Sequence, residues 1–88
     1  MRQIKLTGRE VSVVRAIGFT EGMLGSEIQE YTRMDAEDIL DTLNGLMSAG
    51  FVECEPFREQ VDLAEMPGTA FEMNPSYVQG LKEALYRR

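Results

Sequence analysis

The sequence predicts an α+β fold in one domain: three helices, a β-hairpin and a closing helix. Three observations support it. Apolar residues recur at helical spacing over 11–17 and again over 39–47. Segments 52–54 and 71–73 alternate apolar and polar residues, as half-buried strands do. Cap residues, glycines and prolines punctuate the chain where these patterns change. Eighty-eight residues suffice for one domain, 1–88.

The first helix is expected over residues 8–17. Thr7-Gly8-Arg9-Glu10 has the form of a capping box, and Leu6 and Val11 stand where a hydrophobic staple would place them. Val11, Val14 and Ile17 form its apolar face with Val13 beside them, and Gly18 ends it. Residues 19–24 connect, with a turn at Glu21-Gly22 and a short strand at Met23-Leu24. Gly25 or Ser26 is expected to cap a second helix. Ile28 and Tyr31 form its inner face, Leu24 packs at its entrance, and Thr32-Arg33-Met34 is a tight connection. Asp35 is the expected N-cap of the third helix. Ile39, Leu40, Leu43, Leu46 and Met47 make its apolar stripe, and Gly50 suits a left-handed C-terminal position. Gly45, inside that helix, reads either as a close approach by a neighbouring helix or as a weak spot costing about 1 kcal/mol.

Phe51 to Glu55 reads as a strand with Val52 and Cys54 on one face, ended or kinked at Pro56. Val61-Asp62-Leu63 is expected to resume it, and Pro67-Gly68 to form a turn with glycine at positive φ. Residues 69–73 return as the second strand, Phe71 and Met73 facing inward. Asn74-Pro75 opens the last helix. Tyr77, Val78, Leu81, Ala84 and Leu85 supply its apolar face, and Arg87 and Arg88 favour its C-terminal end through the helix dipole. Of the six methionines, Met47 and Met73 are expected in the core.

Composition excludes much chemistry. There is no histidine and one cysteine, Cys54. That removes His-based triads, Cys-His dyads, His-ligated zinc and Cys-rich zinc sites. The glycines at 18, 22 and 25 fit neither a P-loop nor a dinucleotide fingerprint. No cofactor, metal or catalytic site is expected. Cys54, flanked by Glu53 and Glu55, is expected to be inert. No apolar run approaches the ~20 residues of a membrane span, and a lone cysteine fits a reducing compartment, so a soluble, cytoplasmic protein is expected.

The element order resembles the winged helix-turn-helix domain. The resemblance is carried by Asp35 to Glu53, similar to a recognition helix followed by the Leu-x-x-Leu-x-x-x-Gly-(Leu/Phe)-(Ile/Val) passage into the wing. Leu43, Leu46, Gly50, Phe51 and Val52 match that passage, and Ser26-Glu27-Ile28 resembles the start of the second helix. It covers roughly residues 6 to 86. MarR-like transcription regulators are the nearest comparison. The resemblance implies that the third helix enters the DNA major groove and that the wing touches the backbone.

The charges oppose that mode. From Asp35 to Ala49 there are four acids and no lysine or arginine. Residues 1–20 carry net +3 and 73–88 net +2, whereas 21–72 hold thirteen acids against Arg33 and Arg58, net −11. Non-specific DNA affinity comes mainly from lysine and arginine displacing counterions, so an acidic probe forfeits it. The expected function is therefore a non-catalytic winged-helix regulator or adaptor acting through protein contacts. Glu37, Asp38, Asp41, Glu53, Glu55 and Glu59 are its candidate residues for a partner with a basic surface. Alternatively the chain binds DNA through Arg9, Arg15, Arg33, Thr42 and Arg58. A third reading is a DNA-mimic inhibitor. Tyr77, Leu81 and Leu85 are candidates for a homodimer seam, or else they cover the first helix. The two basic chain ends are expected to be able to form one patch.

Overall fold

A computed structural model describes residues 3–86; the expected dipole role of Arg87 and Arg88 lies outside them. The protein is α+β, with helices α1 (Gly8–Ile17), α2 (Gly25–Thr32), α3 (Ala36–Ser48) and α4 (Val78–Tyr86). Strands β1 (Met23–Leu24), β2 (Val52–Glu55) and β3 (Ala70–Met73) form an antiparallel sheet in the order β1-β3-β2. Short 3-10 turns occupy Met66–Gly68 and Pro75–Tyr77.

Helix α1 starts and stops where its sequence says. The Thr7 N–H donates to Glu10 Oε1 at 2.8 Å, and the Glu10 N–H donates to Thr7 Oγ1 at 3.3 Å, which closes the capping box. Gly18 ends the helix at φ 73°, its N–H donating to the Val14 carbonyl. Helix α2 is capped differently from expectation. Leu24 holds the N-cap position, and the Glu27 carboxylate reaches back to accept from the Leu24 N–H at 2.9 Å. Tyr31 is not on its inner face: it is exposed, while Ile28 is fully buried. The turn into α3 passes through Arg33 in the left-handed region, φ 60°. Asp35 takes the N-cap position of α3 through its backbone, and its side chain makes no cap hydrogen bond.

The third helix buries Ile39, Leu43 and Leu46 completely or nearly so, with Leu40 and Met47 half-buried beside them. Gly45 faces open space, so the close-approach reading is excluded and the weak-spot reading remains. Gly50 adopts φ 86°, as its position after the helix requires.

Strand β2 alternates as its sequence predicts, Val52 and Cys54 buried and Glu53 and Glu55 exposed. β3 buries Phe71 and Met73. The register places Val52 opposite Met73, Glu53 opposite Glu72, and Cys54 opposite Phe71. On the other side of β3, Met23 faces Phe71 and Leu24 faces Ala70.

The connection between β2 and β3 departs from expectation. Residues 61–63 form no strand; Val61 is instead a buried plug, held by the side chain of Asn44. Asn44 donates from Nδ2 to the Val61 carbonyl and accepts from the Val61 N–H through Oδ1, both at 3.0 Å. Pro67-Gly68 belongs to a 3-10 turn, and Gly68 does not take positive φ. The turn packs closely against Gly25, where a Cβ would collide with the Met66 carbonyl oxygen. Met66 is itself fully buried. One core gathers these pieces with Val13, Val14, Ile28, Phe71 and Leu81 at its centre.

Candidate functional site

The six acidic candidates fall into two groups. Glu37, Asp38 and Asp41 lie in the first half of α3, Glu37 and Asp41 exposed and Asp38 half-buried. Asp38 is drawn toward α1, where Arg9 Nη1 lies 3.5 Å from its carboxylate. Both side chains stay largely in water, so the pair contributes roughly 0–1 kcal/mol. Thr42 does not join this face. It is buried, and its hydroxyl donates to the Asp38 carbonyl at 2.7 Å, so it is turned inward and is not available to read a base.

Glu53, Glu55 and Glu59 form the second group, along an open groove of about 960 Å³. Its walls come from the end of α3 (Met47, Ser48), from Gly50, from β2, and from residues 57–60 of the hairpin tip. Two further lining residues were not among the candidates. Glu72 of β3 stands directly opposite Glu53. Phe57 is 80% exposed. Strand alternation between Phe71 and Met73 already turns Glu72 outward, but its pairing with Glu53 is a fact of register that no single strand carries. Met47, expected in the core, packs against it half-buried and also lines the same groove.

The groove is electrically one-sided. Glu53, Glu55, Glu59 and Glu72 form no ion pair among the described residues. The one base in its lining, Arg58, is held by Glu65 at 2.6 Å. Beneath these acids, Cys54 is buried, its thiol directed at the carbonyls of Pro56 and Arg58 at 3.4 and 3.5 Å.

The candidate DNA contacts differ in their surroundings. Arg9 and Arg58 are ion-paired, and Thr42 is buried. Arg15 and Arg33 are exposed and unpaired among the described residues, one on α1 and the other in the α2–α3 turn. Basic segments near the two chain ends do meet: Ile4 packs where a Cβ on Gly80 would touch it, and the Lys82 ammonium lies 5.5 Å from the Phe19 ring centroid. That contact occupies Lys82 with an aromatic face.

Of the dimer candidates, Leu81 and Leu85 are buried within the single chain and belong to its core. They are spent inside the protomer, because α4 needs that face to close the core. Tyr77 stays partly exposed and packs edge-on against Phe51, ring centroids 5.1 Å apart.

Among the described residues, no group of three or more His, Cys, Asp or Glu side chains is arranged to hold a metal ion. No helix among them is long and apolar enough to cross a membrane. Comparison of the chain with family profiles, curated proteins and solved structures returns no match.

Proposed function

We propose that this chain is a non-catalytic regulator or adaptor of winged-helix organisation, which works by binding a protein partner with a basic surface. In this reading α2 and α3 are the helix-turn-helix pair, β2 and β3 with their connection are the wing, and the working surface is acidic. The observation that carries it is the segregation of charge. Glu37 and Asp41 on α3 and Glu53, Glu55, Glu59 and Glu72 around the hairpin are exposed and lack ion pairs among the described residues. Arg58, the base set among the hairpin acids, is already neutralised by Glu65.

A duplex would meet this surface with repulsion, because the counterion-release term requires cations at the contact. A cationic protein surface meets it with complementary charge, which speeds encounter and selects partners. Two measurements test the proposal. A fluorescence titration with a mixed-sequence duplex at low salt should give no binding at tens of micromolar; binding that weakens steeply with salt would overturn the proposal. Affinity capture with the wild type should retain a partner that the Glu37→Lys/Asp38→Lys/Asp41→Lys/Glu53→Lys variant, folded by circular dichroism, does not. Equal retention by both would also overturn it.

A further inference from the structure

The hairpin groove carries a charge conflict that its register imposes. Glu53 and Glu72 are directly opposed across β2 and β3. Directly opposed residues have Cβ atoms about 4.5–5.5 Å apart, so two carboxylates there repel. The register is set from below, by Val52 facing Met73 and Cys54 facing Phe71 in the core, so the two acids cannot slide apart. No cation among the described residues relieves them. Glu55 and Glu59 extend the same field along the groove.

A second observation is independent of charge. Phe57, 80% exposed, stands in the lining of the same groove, together with the half-buried Met47. A single exposed aromatic is ordinary. An aromatic and a thioether among four unpaired carboxylates give the groove two chemistries, one for cations and one for an apolar side chain. The groove is open and lined by β2 and residues 57–60 of the tip, which suits a peptide segment better than an enclosed small molecule.

We infer that this groove receives a cationic peptide segment of the partner that also carries large apolar side chains. The inference rests on the acidic surface proposed above and narrows it to one place. Arginine is the better fit for the Glu53–Glu72 pair, because its planar fork can donate to two carboxylates at once. The apolar side chain packs on Phe57 and Met47. Among the described residues, the exposed bases without an ion pair, Lys5, Arg15 and Arg33, lie before α1, on α1 and in the α2–α3 turn, so they do not form one continuous basic segment.

The test uses three fluorescein-labelled decapeptides, alternating arginine–leucine, arginine–serine and glutamate–leucine, titrated by anisotropy at 50 mM salt. The arginine–leucine peptide should bind the wild type at least tenfold more tightly than arginine–serine, and glutamate–leucine should not bind. Phe57→Ser should bring the arginine–leucine peptide down to the arginine–serine level. Glu72→Lys should weaken it tenfold or more, while Glu21→Lys/Glu30→Lys, at exposed acids outside the proposed surface, should leave it within about threefold. All these residues are exposed, so the variants should keep the wild-type fold by circular dichroism. Equal affinity for both arginine peptides, or unchanged affinity in Phe57→Ser and Glu72→Lys, would overturn the inference. If Glu37→Lys/Asp41→Lys abolishes binding while Glu72→Lys does not, the groove assignment falls and the wider acidic-surface proposal stands. Dimerisation in sedimentation that Glu72→Lys abolishes would assign the groove to a second copy and overturn the peptide occupant.

Discussion

Replacing Glu72 with lysine converts the like-charge pair with Glu53 into an attractive one without touching the core. Both side chains are exposed and both backbone positions remain in the β2–β3 ladder. Glutamate and lysine are similarly depleted in strands, so intrinsic propensity changes little. A cross-strand pair contributes about 0.2–1 kcal/mol, and like charges directly opposed cost stability. Removing one term and adding the other gives a gain of about 0.5–1.5 kcal/mol, reduced by solvent because both groups are in water. For a domain of this length that corresponds to a rise in Tm of about 2–10 °C. Thermal unfolding followed by circular dichroism in low and in 0.5 M salt measures it, and the gain should shrink at the higher salt as the charges are screened. The Glu53→Lys/Glu72→Lys double variant separates the pair from the net charge of −6. Opposed lysines restore the repulsion, so the double variant should fall back toward wild type. A double variant more stable than the single would show that overall charge, not the pair, sets the effect, and the reasoning would be refuted.

Three further substitutions test the scaffold. Gly45→Ala should stabilise by about 1 kcal/mol, since a methyl there meets open space on an exposed helix position; a fall in Tm would contradict this. Gly25→Ala should destabilise by about 1–3 kcal/mol or prevent folding, because its Cβ would strike the Met66 backbone and not a movable side chain; wild-type urea unfolding would refute the close packing of α2 on that turn. Asn44→Ala should cost about 1–3 kcal/mol by leaving the N–H and carbonyl of Val61 without their partner, and should speed hydrogen exchange and proteolysis in residues 57–65; unchanged protection there would refute the clamp.

Local signals made the helices and the strand faces legible. The Thr7–Glu10 box marks the start of α1, and the β2 alternation places Cys54 inward because strand faces have a period of two. What sequence concealed were choices made by distant neighbours. Tyr31 keeps helical phase with Ile28, yet lies outside the packed arc. Thr42 reads as a polar surface residue, but its hydroxyl satisfies itself on the preceding turn and its methyl can then be buried. The turn expected at Pro67-Gly68 with positive φ is a 3-10 turn, its conformation tied to Gly25 and the buried Met66. The candidate site was half legible. Glu53, Glu55 and Glu59 were visible as acids, while the opposition of Glu72 and the presence of Phe57 beside them depend on strand register and on the path of the tip.

The strand that arrives last in the chain is the one both others need. Met23 and Leu24 find their partners in Phe71 and Ala70, and Val52 to Glu55 find theirs in Met73, Glu72, Phe71 and Ala70. Contacts this far apart in sequence are bought late, after long loops have closed, and they slow folding relative to a helical bundle of equal size. A ribosome that has released residues 1–69 therefore holds helices awaiting a sheet, with the inward faces of Met23, Val52 and Cys54 uncovered. Protease resistance should therefore appear all at once, only after residues 70–73 have been made.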